Sequence, residues 1–249
     1  MQSWIIGGTS GIGLSIVTMM KARGVSALAL SNDEAEGLLM KKQQGHEFAR
    51  LDLSQPAIEV EATVRHLAET TGVPSYLFLS AAITRAMTVT DTPAQLWDVL
   101  ARVNLLGTIC VCNEMARLWR EVPDDVPWRR HMIFLGSVNA LRPLPSQGAY
   151  SVMKAGLHAY ARCLANDLAC DQVRVNVIAP GAVWTAMNQR ILDGAEHDQE
   201  RYEVAHSALV PRFGEAEEIA QVATWLALDS PAFVMGTDFV VDGGFTAKR

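Results

Sequence analysis

The chain has 249 residues, 49% of them apolar and 19% charged, with 18 glycines and 10 prolines; this excludes disordered, collagen-like and low-complexity chains and leaves room for one large core. A formal net charge of -6 gives no electrostatic footprint for nucleic acid, although a few local amides can still hold a phosphate. Four cysteines, Cys110, Cys112, Cys163 and Cys170, are too few to staple a chain of this size and favour a reducing compartment. The first residues lack the basic stretch and apolar run of a secretory signal, and no apolar run approaches the roughly 18 residues of a membrane span. The expectation is a cytoplasmic protein.

In chain order, Trp4-Ile5-Ile6 leads into Gly7-Gly8-Thr9-Ser10-Gly11-Ile12-Gly13, after which Leu14, Val17 and Met20 recur at helical spacing before Gly24. Strand, glycine turn and helix follow from that pattern. Ser26–Leu30 reads as a second strand, Glu34–Gln44 as a helix, His46–Leu51 as a third strand, Ile58–Thr70 as a helix and Tyr76–Ala81 as a fourth strand. Strands this continuously apolar suit a parallel sheet covered on both faces.

The second half repeats the rhythm. A helix from about Thr92 to Val122 carries Leu96, Leu100, Val103 and Val111, with a break near Asn104, and the prolines of Pro123–Pro127 make a loop. His131–Leu135 is the fifth strand, Tyr150–Ala169 a helix, Val173–Ile178 the sixth strand, and Phe239–Val241 the last. Ile219, Val222, Ala223 and Leu226 mark a core-facing helix behind the acidic turn of Glu215, Glu217 and Glu218. No repeat or linker divides the chain, so 1–249 reads as a single α/β domain, doubly wound around a mostly parallel sheet. The segment 182–212 breaks the rhythm, mixing Trp184, Met187, Ile191 and Leu192 with His197, Asp198, Gln199 and Glu200. Its place after a strand's carboxyl end reads as a substrate-covering flap; a plain surface helix pair is the alternative.

The glycine turn can hold a pyrophosphate, because residues without Cβ turn tightly and the next helix offers unpaired N–H groups. At the end of the second strand, Ser31 removes the acidic residue that would accept from a ribose 2′-OH, and Asn32 brings no arginine for a 2′-phosphate. Asp33 restores an NAD preference if it turns inward, or merely caps the next helix. The balance tips slightly to NADP. Asp52 after the third strand can accept from an adenine amino group or serve as a turn residue.

Tyr150 and Lys154 form Tyr-x-x-x-Lys, one helical turn apart on one face, where an ammonium ion can stabilise a tyrosinate. Ser137 follows the apolar strand His131–Leu135, which puts its hydroxyl at a strand's carboxyl end, in reach of a substrate oxygen. The plain alternatives are a half-buried surface pair and a turn serine after Gly136.

Taken together, these residues resemble the classical short-chain dehydrogenase/reductase family over essentially the whole chain: Gly7/Gly11/Gly13, Asp52, Asn104 in Asn-Leu-Leu-Gly, Ser137, Tyr150 with Lys154, Pro180-Gly181 with Thr185, and Gly236 with Val241-Asp242-Gly243-Gly244. The resemblance implies a seven-stranded Rossmann-like sheet, a homodimer or homotetramer, and an NAD(P)-dependent enzyme. It implies Ser137, Tyr150, Lys154 and Asn104 as the catalytic set, with Asn104 helping to hold a proton-relay water near Lys154. Cofactor contacts are expected from Gly7, Thr9, Ser10, Gly11, Ile12 and Gly13, from Ser31, Asn32, Asp52 and Leu53, from Ala81 and Ala82, from Tyr150 and Lys154, and from Pro180, Gly181, Val183 and Thr185. Two departures stand out. Ser80-Ala81-Ala82-Ile83 replaces the family's Asn-Asn-Ala-Gly, so β-branched Ile83 is expected to crowd the ribose or to demand another backbone path. Ile6 replaces the usual threonine, a smaller loss in a buried strand.

The expected reaction moves a hydride between nicotinamide and a small, largely hydrophobic ketone or secondary alcohol. Tyr150 exchanges the proton, Ser137 steadies the oxygen and Lys154 lowers the tyrosine pKa. Substrate contacts are expected from Ser137, Asn139, Leu144, Tyr150, Trp184 and Met187. No metal is expected, since His46, His66, His131, His158, His197 and His206 form no ligand pattern. The alternatives are a dinucleotide-dependent epimerase on the same scaffold and a non-enzymatic dinucleotide-binding regulator.

Overall fold

Strand β1 (Gln2–Ile6) is buried at four of its five positions, which only the middle of a sheet covered on both faces can provide. In the computed structural model, which describes residues 1–122, 124–192 and 197–248, β1 sends Trp4 and Ile6 into one apolar layer and Ile5 into the other. The same alternation splits Leu28 and Leu30 from Ala27 and Ala29 in β2 (Ser26–Ser31), and Leu77 and Leu79 from Phe78 in β4 (Tyr76–Leu79). With β3 (Glu47–Arg50), β5 (His131–Leu135), β6 (Arg174–Pro180) and β7 (Asp238–Val241), they form a seven-stranded sheet in the order β3-β2-β1-β4-β5-β6-β7. Every pairing between these strands is parallel, so the sheet is more uniform than the mostly parallel one the sequence suggests. From β1 the chain builds outward to β3 and then returns to place β4 on the other side of β1. Such a reversal opens a crevice at the carboxyl ends of the strands.

Helices α1 (Gly11–Ala22), α2 (Glu34–Gln44) and α9 (Ala216–Leu228) contribute to one layer, and α3 (Ala57–Thr71), α5 (Gly107–Glu121) and α6 (Gly148–Leu168) to the other. Between α4 (Ala94–Ala101) and α5 the chain passes through one wide π turn, Arg102–Leu106. This is the expected break near Asn104, and Asn104 in it is 1% exposed. Gly107 then passes the end of β3 so closely that a Cβ would lie 2.4 Å from the Leu53 carbonyl oxygen. The whole stretch Ala94–Glu121 is long and apolar enough to cross a membrane by composition, yet half of its most apolar window is buried within the fold. It serves as a layer helix of the sheet. Within the segment 182–212, α7 (Ala186–Leu192) and α8 (Asp198–Ala205) flank the cleft. Of the flap residues singled out in the sequence, the side chains of Ile191 and Leu192 lie outside the described ones.

Candidate active site

A cleft of about 1180 Å³ opens along the carboxyl edge of the sheet, bordered by the strand ends Ile6, Leu30, Leu135, Pro180 and Val241. At its centre the glycine turn is pressed against the end of β4. Gly7 has φ +79, and a Cβ there would lie 2.6 Å from the Ala81 nitrogen; a Cβ on Gly13 would lie 2.0 Å from the Gly7 carbonyl oxygen. Larger residues would therefore displace the turn or lift α1 off it. Ser10 precedes α1 in extended conformation without capping it through its side chain, and the first turn holds no acid. The helix start bordering the cleft through Ser10, Gly11 and Ile12 is thus left for an external anion. The residues present fit a dinucleotide diphosphate.

The end of the cleft beside β2 and β3 is acidic. Asp33 caps α2, accepting from the Glu36 nitrogen at 2.9 Å, while Ser31 Oγ accepts from the Asp33 nitrogen at 3.2 Å. Of the two readings of Asp33, helix cap is the one the structure adopts. The Glu36 carboxylate reaches back to the turn, where Thr9 Oγ1 donates to it at 2.6 Å. Asp52 is held by Ser54 Oγ at 2.6 Å and Gln55 Nε2 at 3.0 Å, which outweigh its partial burial and keep its carboxyl below the ordinary range. All three carboxylates border the cleft. Among the described residues that line it, the cations are Lys154 and Arg212, and Arg212 is forked onto Glu218 at 2.7 Å.

The other end of the cleft is where Ser137, Tyr150 and Lys154 converge. Lys154 is 2% exposed; its Nζ donates to the Leu135 carbonyl oxygen at 2.7 Å and lies 5.6 Å from the centroid of the Tyr150 ring. Burial pulls its ammonium group down to about 8 and pushes the Tyr150 phenol up to about 12, with a hydrogen bond to Ser137 pulling the phenol the other way. The Lys154 ammonium group thus faces the Tyr150 ring, within range to offset charge that develops on the phenol oxygen.

Asn104 does not border the cleft. Its Nδ2 donates to the Ile83 carbonyl oxygen and its Oδ1 accepts from the Ile83 nitrogen, both at 2.8 Å. This reciprocal clamp fixes the backbone at Ile83, which borders the cleft while its side chain also packs against the cluster of Leu100, Ala149 and Met153. The side-chain amide of Asn104 is thereby committed to Ile83.

Of the other expected contacts, Gly7, Thr9, Ser10, Gly11, Ile12, Ser31, Asn32, Asp52, Leu53, Ala81, Ala82, Pro180, Gly181, Val183 and Thr185 border the cleft, as do Asn139, Leu144 and Met187 near Ser137 and Tyr150. Gly13 and Trp184 do not. Gly13 packs beneath the turn, and Trp184 stacks edge-on against the cleft residue Phe213 with ring centroids 5.0 Å apart. Sequence reasoning missed Glu36, whose signal was its position as a first-turn acid three residues after the cap Asp33. It also missed Gln147, which accepts from Thr84 Oγ1 at 2.8 Å, and Phe245, which no local pattern marks. The Val241–Gly244 motif is explained by Asp242, which accepts from the Gly244 and Thr246 nitrogens at 2.8 and 2.7 Å and folds the chain back along the cleft.

A glycine turn at the reversal of a parallel sheet, facing a serine, a tyrosine and a buried lysine, defines a nicotinamide dinucleotide-dependent oxidoreductase. Residues 7–246 match the family model described as enoyl-(acyl carrier protein) reductase, and the chain belongs to the classical short-chain dehydrogenase/reductase family. It is similar to D-threitol dehydrogenase of Mycolicibacterium smegmatis, with 29% identity covering 98% of this chain and 92% of that protein. It is 30% identical to 2-(S)-hydroxypropyl-CoM dehydrogenase 3 of Xanthobacter autotrophicus, covering 98% and 95% of the two chains, and 28% identical to cyclopentanol dehydrogenase of Comamonas testosteroni, covering 98% and 96%. In fold it matches a 4-hydroxyisoleucine dehydrogenase solved with NADH, at a TM-score of 0.87 and 22% identity, covering 100% and 99%.

Proposed function

We propose that the protein interconverts a small, neutral, largely apolar ketone and its secondary alcohol, with NAD(H) preferred over NADP(H). The observation that carries this reading is the convergence of the Ser137 and Tyr150 hydroxyls above the buried Lys154 at one end of a dinucleotide-sized cleft. Bound nicotinamide would supply or take up the hydride; Gly7, Thr9, Ser10, Gly11 and Ile12 would hold its diphosphate, and Pro180, Gly181, Val183 and Thr185 its nicotinamide end. In reduction Tyr150 gives its proton to the carbonyl oxygen, to which Ser137 also donates a hydrogen bond. The Lys154 ammonium group offsets the charge left on the tyrosinate. Asn104 acts here through Ile83, fixing the backbone beside the ribose.

The preference for NAD reverses the slight leaning of the sequence. Asp33, Glu36 and Asp52 border the adenosine end, where no lining cation is available to a 2′-phosphate. A neutral substrate is supported by the same inventory: the cations bordering the cleft are engaged, while α8 adds Glu200 and Glu203 to its rim. Relatives named for cyclopentanol and D-threitol agree with small neutral alcohols. We read 1–249 as one domain with 182–212 covering the substrate, in a cytoplasmic homo-oligomer. Exposed Phe233, Trp225 and Val240 offer an apolar face for a second copy, and Cys110, Cys112, Cys163 and Cys170 remain free thiols.

The test is a titration of the purified protein with NADH and NADPH, followed by the change in nicotinamide absorbance across a panel of cyclic and acyclic ketones. NADH is expected to bind more tightly, and Tyr150→Phe to keep that binding while losing turnover. Failure of both dinucleotides to bind would overturn the reading, and so would full turnover in Tyr150→Phe.

A further inference from the structure

Tyr150, Lys154, His158 and Arg162 follow one another at four-residue intervals along α6, which puts them on one face. The proposed chemistry uses the first two and leaves His158 without a task, although it is 2% exposed. Its Nε2 lies 3.3 Å from the backbone nitrogen of Ser137. A backbone N–H can only donate, so Nε2 is the acceptor and the ring proton sits on Nδ1, which donates to Asp238 Oδ2 on β7 at 3.0 Å. Arg162 donates to the same oxygen at 3.0 Å, while Asp238 Oδ1 is buried with no hydrogen-bond partner among the described residues. The contact is close: a Cβ on Gly136 would lie 2.0 Å from Nε2.

We propose that His158 and Asp238 form a positioning pair for Ser137, holding its backbone so that its hydroxyl meets that of Tyr150, and doing so only while the imidazole is neutral. The inference rests on the proposed role of Ser137. Three ties fix the turn that carries this serine: Lys154 Nζ on the Leu135 carbonyl oxygen at 2.7 Å, the Gly136 nitrogen on the Ile178 carbonyl oxygen at 2.7 Å, and His158 on the Ser137 nitrogen. The first two persist through the acidic range. The third reverses on protonation, when Nε2 becomes a donor facing a donor and the Ser137 N–H loses its partner. The titratable and charged groups facing His158 are Asp238 from β7 and Lys154 and Arg162 from α6 itself, whereas β5, β6 and the turn present Gly136, Ser137 and Val177. Burial holds the imidazole below its ordinary value of 6.5, with Asp238 opposing and Lys154 and Arg162 reinforcing that shift. The neutral, serine-holding form therefore prevails at neutral pH and is lost on acidification.

The experiment combines histidine-resolved NMR on isotope-labelled protein with pH profiles of kcat and KM for ketone reduction. His158 is expected as the Nδ1–H tautomer. The acid limb of kcat should share its midpoint with the His158 titration, and Asp238→Asn should move both to lower pH by removing the carboxylate that favours the charged ring. His158→Leu should lower kcat by about 10–100-fold, as expected for a small misplacement of a catalytic group, with dinucleotide affinity unchanged. His158→Gln keeps an acceptor oxygen, so it should hold kcat within a few-fold of wild type and lose the acid limb. An Nε2–H tautomer, an acid limb that survives in His158→Gln, or unchanged kcat in His158→Leu would overturn the pair. So would a parallel loss of dinucleotide binding and melting temperature in His158→Leu, which would mark packing alone; if that variant does not fold, His158→Gln and Asp238→Asn decide. Absence of turnover in the wild type would count against the proposed reaction instead, and the tautomer and its response to Asp238→Asn decide on the pair by themselves.

Discussion

On the floor of the cleft Lys154 is 2% exposed and tied to a carbonyl oxygen, and Ile83 is gripped at both of its backbone polar groups by Asn104, itself 1% exposed. In the rim, α8 buries none of its eight residues and pairs Arg201 with Asp198 one turn away. Buried, cross-tied groups keep one geometry; an exposed helix with little apolar burial can shift at small cost. The comparison suggests that the reaction belongs to the floor and the choice of substrate to the rim.

The largest effect that would break this contrast is expected at Lys154. Lys154→Met should lower turnover by about 10²–10⁴-fold while raising stability at neutral pH. A lysine whose folded value is drawn from 10.5 down to about 8 opposes folding wherever it is charged, and removing it should contribute about 1–3 kcal/mol after loss of its bond to Leu135. The sign is fixed by proton binding: between about 8 and 10 the unfolded chain binds more protons at this residue, so wild-type stability should rise with pH there and that of the variant should not. Urea unfolding at several pH values, beside steady-state rates, checks both halves.

Asn104→Ala should follow, since it strands the N–H and C=O of Ile83; a loss of about 2–4 kcal/mol is expected from two deprived backbone groups, with weaker dinucleotide binding by calorimetry. A smaller effect is expected at the adenosine end, where Glu36→Gln should narrow the NADH/NADPH affinity ratio by roughly fivefold, the scale of about 1 kcal/mol for an exposed charge. Smallest of all, Glu203→Gln in the rim should leave stability within about 0.5 kcal/mol and lower KM for anionic ketones alone. A large loss of stability there would erase the distinction between floor and rim.

Much of this architecture was legible beforehand because strand burial and helix periodicity are local signals. The apolar runs of β1, β2 and β4 and the glycine turn put these strands within a residue or two of their places, and the break near Asn104 surfaced as the π turn. Ser137, Tyr150 and Lys154 stood out through the family resemblance rather than through spacing alone, and all three border the cleft. What spacing cannot convey is which way a side chain turns once the chain folds. Trp184 packs edge-on against Phe213, Glu36 reaches Thr9 and the side-chain amide of Asn104 clamps Ile83, none of which a local pattern conveys.

The placement of β7 has a consequence for how the enzyme comes into being. This strand is last in chain order, yet it supplies Asp238 behind Ser137 and Val241 and Asp242 along the cleft, and beyond it Lys248 Nζ reaches the His206 and Ala208 carbonyl oxygens at 2.6 and 3.2 Å. A growing chain can assemble the glycine turn with β1 and β2 early, but the reacting end is incomplete until these distant residues dock, and pairings so far apart in sequence form slowly. During synthesis, dinucleotide affinity should therefore precede catalytic competence, and an elongating chain can acquire its cofactor before it is able to turn over substrate.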